Sequence, residues 1–384
     1  MIEDTYFPLF PKEEYEFRYK RAREVMVEKG LDAILVTEFT NYMYLGGQRE
    51  FRQLTPKARP LILILPLDRE PILIAQVPLE QAMRKGSWIK NIKTWSGMPF
   101  FVEPVKVALE ELLLTKGRIG MEFGLEQRMG ISYNDLMALE KMLPNANFVD
   151  ASEVLIRLRM IKSQAEIDLI RRACRITGKA FEKLFSTVKL GMTEREILKM
   201  MFIYMLEEGA DMPGFATVHI WPGAITTTAA TDRSLKEGDY LWVDAGAVVN
   251  HYKCDFSRNA TVGRPSTKHL KTHEVIREIT RKCVEMIKAG IKGSEITKFC
   301  NLELQKNSIP PKPMGRIGHG IGLDITEPPS IAINDNTILE SGMTITIEPG
   351  VLTDYGYFVL EENLAVTKNG FERLSGFEPE LYVL

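Results

Sequence analysis

The stretch Tyr240–Arg258, YLWVDAGAVVNHYKCDFSR, decides the fold, because it carries two acids inside otherwise apolar and aromatic strand sequence. A turn between Val249 and Asn250 would leave equal lengths of chain on either side. Asp244 and Asp255 would then face each other on paired antiparallel strands, about 5 Å apart. Two facing carboxylates in a buried strand pair cost several kcal/mol unless something positive lies between them. The stretch therefore predicts an antiparallel hairpin that holds a cation.

A second stretch, Thr344–Asn363, repeats this arrangement with the sequence TITIEPGVLTDYGYFVLEEN. A turn between Asp354 and Tyr355 would place Glu348 opposite Glu361. One such pair could serve a nearby Lys or Arg, and four separately satisfied structural acids remain the alternative. Two pairs in one domain favour a common role.

Between the two hairpins lies a glycine-rich segment with a single histidine, GRIGHGIGLDITEPP. His319 is flanked by Gly318 and Gly320, so a ligand can approach its imidazole closely. One histidine and four carboxylates form a suitable ligand set for two divalent cations. Oxygen-rich ligation favours Mn²⁺, Fe²⁺ or Co²⁺, while Zn²⁺ remains an option. The alternative is a structural histidine whose nitrogens are satisfied within the core.

Length and charge exclude several classes of protein. The chain has 384 residues, which predicts two domains or one large one with a sizeable core. Lys+Arg number 49 against 51 Asp+Glu, a formal charge of −2, so no net positive field attracts nucleic acid or an anionic membrane surface. Apolar residues make up 45%, which excludes disorder as the main state.

The cysteines and the N-terminal sequence favour a cytoplasmic protein. The four cysteines include no C-x-x-C pair, which is typical of reduced thiols rather than a disulfide framework. The start, MIEDTYFPLF, lacks the basic and apolar regions of a signal peptide. The longest apolar run, Leu61–Pro66, has the length of a strand and is far too short to span a membrane.

Periodicity predicts a mixed α/β (α+β) protein with two parts. In the first part, a helix over Lys12–Lys29 closes at Gly30, and two apolar runs over 60–75 predict a hairpin. In the second part, Thr193 predicts the start of a helix, and a further helix is predicted from about Lys268 to Ala289. The domain boundary is predicted at 152/153.

The motifs together resemble the creatinase/aminopeptidase P/prolidase family of "pita-bread" metallopeptidases. The matching pieces are VDAGA, YKCDFSRNATVG, GHGIGL, ITIEPGV and LEENLAVT, together with the linker MIKSQAEIDLIRRA. The resemblance implies a pita-bread catalytic domain over 153–384, with an antiparallel sheet and covering helices. It implies a creatinase-type α/β N-terminal domain over 1–152, which would serve oligomerisation and restrict the active site.

The resemblance also implies the roles of the site residues. Asp244 would chelate one metal ion, and Asp255 and Glu361 would bridge the pair. His319 and Glu348 would complete the other ion. A hydroxide bridging the two ions would attack the carbonyl carbon, and Glu348 would carry the proton to the leaving amine. The family implies cleavage of Xaa-Pro dipeptides or short Xaa-Pro peptides by a homodimer.

Three positions depart from the family pattern, and the tentative substrate pocket consists of Thr227, Thr326 and His219. Thr326 and Thr227 stand where the peptidases usually carry histidines, and Val359 stands where many prolidase-like members carry arginine. Losing one oxyanion-type donor typically costs ~10²–10³ in rate. Either His219 or His251 could substitute from a different position, and each also suits a structural or surface role.

Three hypotheses follow from these observations. The first is a dinuclear metallohydrolase for Xaa-Pro substrates. The second keeps the metals and the fold but acts as a small-molecule amidohydrolase or lyase, because the outer histidines are missing. The third is a non-catalytic binding protein. This third hypothesis is disfavoured, because the whole ligand set is retained and the sequence has no basic run.

Overall fold

The computed structural model describes residues 8–47, 59–97, 101–226, 228–310, 315–376 and 380–384. Contacts divide the chain into two compact units, Met1–Arg159 and Met160–Leu384. None of the helices among the described residues combines the length and the apolar character that crossing a membrane requires.

In its described residues, the first unit has a six-stranded sheet with helices between the strands. The strands are β1 (Ala33–Val36), β2 (Ile62–Pro66), β3 (Ile72–Gln76), β4 (Asn91–Trp95), β5 (Arg118–Met121) and β6 (Asn147–Asp150). The helices are α1 (Lys12–Lys29), α2 (Phe39–Gly46), α3 (Glu80–Gly86), α4 (Val102–Glu111), α5 (Tyr133–Met142) and α6 (Ser152–Met160), with a 3₁₀ turn over Val77–Leu79.

The sheet runs in the order β4-β3-β2-β1-β5-β6. Strand β2 is antiparallel to both of its neighbours, and the other pairs are parallel. The predicted hairpin over 60–75 is confirmed, with Ile62 opposite Ile74. Helix α1 is also confirmed and ends at Gly30, whose φ of 62° is the left-handed conformation that glycine adopts most readily.

Helix α6 belongs to the first unit by its hydrogen bonds. The Tyr44 hydroxyl donates to the carbonyl of Leu158 at 3.0 Å, and Arg159 donates to Asn41 Oδ1 at 2.9 Å. The division of contacts falls between Arg159 and Met160, at the last residue of this helix, whereas the sequence prediction placed the boundary at its start.

The second unit contains two larger sheets and four helices among its described residues. The strands are β7 (Met212–Trp221), β8 (Tyr240–Val249), β9 (Tyr252–Lys253), β10 (Phe256–Thr261), β11 (Arg316–Gly320), β12 (Glu327–Ala332), β13 (Thr344–Ile347), β14 (Gly350–Leu352), β15 (Tyr357–Val359), β16 (Glu362–Val366), β17 (Phe371–Arg373) and β18 (Leu381–Val383). The helices are α7 (Gln164–Thr187), α8 (Glu194–Glu207), α9 (Thr267–Glu285) and α10 (Gly293–Lys306).

One sheet has the order β18-β10-β8-β7, with β9 paired to β8, and the other has the order β12-β11-β13-β16-β17. The strands β14 and β15 form a separate two-stranded ribbon. A core of α9 and α10 side chains packs with residues of both sheets.

Two predicted helix ends can be compared with the structure. Thr193 caps α8, and its hydroxyl accepts the backbone N–H of Glu196, which confirms the predicted capping box. Helix α9 ends at Glu285 rather than at the predicted Ala289, and turn residues continue the chain to Gly290, whose φ is 94°.

Candidate metal centre

The first hairpin forms, but its register differs from the prediction. Asp244 lies opposite Ser257, not opposite Asp255. The turn residues are Asn250 and His251, with φ of 47° and 71°, one position later than predicted. Positive φ at both central residues marks a type I′ turn, which joins β-strands with the twist they require.

This shift moves the pairing by two residues, so both acids stay on the same face of the hairpin. Asp255 becomes a diagonal neighbour of Asp244, within reach of a shared ion. It lies between β9 and β10, outside the ladder of regular strand pairs.

The second hairpin has the predicted register. Ile347 lies opposite Glu362 on one side, and Gly350 lies opposite Val359 on the other. The same register places Glu348 opposite Glu361 between these pairs, which confirms the prediction.

Ligand-type atoms from three segments of chain meet at one buried point. Atoms of Asp255, His319 and Glu361 lie within 4.8 Å of one another, and all three residues are buried. His319 Nε2 is 3.7 Å from Asp255 Oδ2 and 3.8 Å from Glu348 Oε1. These separations are too long for hydrogen bonds. They suit donor atoms that share an ion at about 2.0–2.2 Å from each.

The backbone sets which nitrogen of His319 faces the acids. His319 Nδ1 lies 3.0 Å from the carbonyl oxygen of Gly320. A carbonyl oxygen only accepts, so Nδ1 carries a proton, and Nε2 is the ring nitrogen that faces the carboxylates and is placed to act as a ligand. A second hydrogen bond of this kind is the usual way in which a metal-binding histidine is oriented.

The charges around Asp255 fit a divalent cation. Burial, followed by the negative charges of Asp244 and Glu348, raises the pKa of Asp255 well above its usual range. Asp255 Oδ1 is buried and accepts no hydrogen bond from any residue that the structure describes. A cation would remove the repulsion and satisfy this oxygen. The residues present therefore suit the metal ions that the motifs imply.

Comparison with known proteins identifies the family. Residues 168–368 match metallopeptidase family M24, and residues 18–161 match the creatinase/prolidase N-terminal domain. The chain belongs to metallopeptidase family M24. It is a metallopeptidase with a creatinase-like N-terminal domain and a pita-bread domain, as predicted from the motifs.

Relatives of this M24 chain match it over almost its whole length. The Xaa-Pro dipeptidase of Pyrococcus horikoshii is 29% identical over 367 residues, covering 95% of this chain and 98% of that protein. The structure of the Xaa-Pro dipeptidase from Bacillus anthracis has a TM-score of 0.84 at 26% identity, covering 96% of this chain and 100% of that one. The prolidase from Thermococcus sibiricus has a TM-score of 0.85 at 25% identity, covering 96% and 99%.

Of the residues predicted for the substrate pocket of this M24 protein, the structure describes Thr326 and His219. Thr326 is exposed in the loop before β12, and Thr227 lies outside the described residues. Val359 is buried in β15, and His251 occupies the turn of the first hairpin.

His219 is part of an aromatic cluster on β7 and β8. Its ring is parallel to that of Trp242 with centroids 5.8 Å apart, and it meets Trp221 edge-on at 5.8 Å. It pairs with Trp242, two residues from Asp244, so it lies on the face that carries this acid. Burial lowers the pKa of His219, which keeps the ring neutral near pH 7.

Two polar residues beside the M24 ligand set were not predicted. Asn363 and Thr346 are fully buried and lie directly opposite each other on β16 and β13. Each lies two residues from a candidate ligand, Glu361 or Glu348, in an apolar strand. Polar residues at this alternating spacing were the signal in the sequence.

Proposed function

We propose that this protein is a dinuclear metal-dependent hydrolase that cleaves Xaa-Pro dipeptides or short Xaa-Pro peptides. The observation that carries the proposal is the buried group of Asp255, His319 and Glu361, whose ligand atoms lie within 4.8 Å of one another. Membership of family M24 and the Xaa-Pro dipeptidases among the relatives support the substrate class.

In this proposal, two divalent cations are held by Asp244, Asp255, His319, Glu348 and Glu361. Four carboxylates offset the charge of two such ions. The oxygen-rich set favours Mn²⁺, Co²⁺ or Fe²⁺, with Zn²⁺ as a further option. When bound, the ions supply a Lewis acid for the peptide carbonyl and lower the pKa of water.

Glu348 is proposed to move the proton. Its side chain is 13% exposed, compared with 9% for Asp255 and 4% for His319, so it is the most open of these three groups. A carboxylate in this position can take a proton from water and give it to the leaving nitrogen. For an Xaa-Pro bond, that nitrogen is the secondary amine of proline. His319, oriented by the Gly320 carbonyl, keeps its Nε2 directed at the acids throughout.

A small-molecule amidohydrolase or lyase is the second candidate. It is favoured by the aromatic packing of His219 and by the buried apolar Val359. Neither residue reproduces the histidines or the arginine that the family pattern places around an Xaa-Pro substrate. A non-catalytic binding protein is not favoured, because the buried ligand-type residues Asp255, His319 and Glu361 are retained and lie together.

The test compares substrates on the Mn²⁺-, Co²⁺- or Fe²⁺-loaded protein. We expect metal-dependent cleavage of Ala-Pro, Met-Pro or longer Xaa-Pro peptides, with small amides as the alternative substrates. Glu348→Gln is expected to lose turnover by ~10²–10⁴, because the proposed proton carrier is removed, and its bound metal is measured on the same samples. Glu340→Gln, at an exposed position, is the matched control and should keep full activity.

The outcomes separate the candidates. Tightly bound metal with no Xaa-Pro turnover, together with cleavage of small amides, would replace the first candidate by the second. Full activity of Glu348→Gln would rule out the proton-transfer role of this residue.

A further inference from the structure

Asn363 holds the backbone of Asp255 from both sides. The Asp255 N–H donates to Asn363 Oδ1 at 3.1 Å, and Asn363 Nδ2 donates to the Asp255 carbonyl oxygen. The two residues are 108 positions apart in the chain, and Asp255 lies outside the regular strands. The amide side chain therefore replaces the strand partner that Asp255 lacks.

The orientation of this amide is set by its other neighbours. Asn363 Oδ1 also accepts a weak hydrogen bond from Cys174 Sγ at 3.5 Å. The backbone N–H of Asn363 donates separately to Ser375 Oγ at 3.3 Å. With donors on the Oδ1 side and a carbonyl on the Nδ2 side, only one orientation of the amide satisfies every group.

Thr346 holds the backbone N–H of His319 through its side chain. The His319 N–H donates to Thr346 Oγ1 at 3.2 Å. The pairing of β11 with β12 is irregular on both sides of His319. A side chain therefore supplies the acceptor at this position. Thr346 and Asn363 are themselves directly opposite each other, so one cross-strand pair contacts two separate segments of the candidate site.

We propose that Thr346 and Asn363 are positioning residues, which hold Asp255 and His319 against Glu348 and Glu361 before metal binds. The inference rests on the metal site proposed above. A preformed donor set binds metal more tightly, because less ordering accompanies binding. A purely structural pair would affect folding stability but not the affinity for metal in the folded protein.

Thr344 offers a matched control on the same strand. Thr344 and Thr346 are both buried in β13, and the Thr344 hydroxyl donates to the carbonyl of Ile321, which is not a candidate ligand. The experiment titrates Mn²⁺ into the metal-free full chain by calorimetry and measures thermal unfolding of the same samples. Thr346→Val is expected to weaken Mn²⁺ binding ~10–100-fold, the range typical when a residue that orients a metal ligand is removed.

Thr344→Val is expected to lower the melting temperature without changing the Mn²⁺ dissociation constant by more than about threefold. Thr346→Ser, which keeps the hydroxyl, should restore binding. Asn363→Leu should weaken Mn²⁺ binding as Thr346→Val does, and Asn259→Leu, at another buried asparagine, is its control. If Asn363→Leu does not fold, the Mn²⁺ affinities of the threonine variants test the positioning role.

Equal Mn²⁺ affinity of Thr346→Val and Thr344→Val would overturn the positioning role. A wild-type chain that binds no Mn²⁺ would overturn both this inference and the metal site. A wild-type chain that binds Mn²⁺ but cleaves no Xaa-Pro peptide would remove only the proposed substrate.

Discussion

At the scale of single residues, the sequence predicts which acids are unusual but not how every ring is packed. Asp255, Glu348 and Glu361 are conspicuous because each interrupts an apolar or aromatic stretch. His219 is different, because the alternation of residues along a strand predicts the side of the sheet on which His219 lies but not the side chains that pack against it. Whether that face is open or filled depends on Trp221 and Trp242, and on pairing that no local pattern encodes.

Glu122, in the first unit, is a buried carboxyl whose ionisation lowers the stability of the folded protein. It accepts hydrogen bonds from the Thr37 N–H, the Thr37 hydroxyl and the Glu38 N–H. Burial is the dominant cause and raises the pKa of Glu122 from 4.5 to about 7, while these hydrogen bonds act in the opposite direction. The folded state therefore holds a proton that the unfolded chain releases between these two pH values.

Stability is accordingly expected to fall as the pH rises from about 4.5 to about 7, by roughly 3 kcal/mol in total. Glu122→Gln should remove this dependence, because glutamine does not titrate. Urea unfolding of both proteins at pH 5 to 8 measures the difference, with Glu140→Gln at an exposed position as the control. Parallel stability curves for wild type and Glu122→Gln would contradict the account.

At the scale of elements, turn chemistry explains why one hairpin register was predicted and the other was not. For the second hairpin, Glu348 and Glu361 are equally far from the turn between Asp354 and Tyr355, and this spacing predicts the observed register. The strand pairs on both sides of the two acids have that register. The same argument fails for the first hairpin, because Val249 is β-branched and does not suit the left-handed conformation. Asn250 tolerates it, so the turn forms one residue later.

The turn provides a direct prediction. Asn250→Val should destabilise the protein by about 1–2 kcal/mol, because a β-branched residue at a φ of 47° is strained. Asn250→Gly is the matched control and should stay within about 0.5 kcal/mol of wild type, since glycine accepts this conformation. Chemical denaturation measures both. A valine variant as stable as the glycine variant would show that the turn is not decisive.

At the scale of the whole molecule, the two-part organisation and the mixed α/β character are evident from alternating helical and strand patterns. The strand order is not, because pairing between distant segments leaves no local trace. Two examples are β2, antiparallel between β1 and β3, and β18, which joins β10 in parallel. The homodimer and the cytoplasmic location stay predictions.

The most direct test of the central claim is metal stoichiometry. The metal-free chain is loaded with Mn²⁺, freed of excess metal by gel filtration, and its metal content is measured by mass spectrometry. The account predicts two ions for each wild-type chain and for the Glu340→Gln control, and a loss of bound metal in Asp255→Ala and Glu361→Ala, because each removes a ligand of the buried cluster. Unchanged stoichiometry in both alanine variants would contradict the assignment of the site.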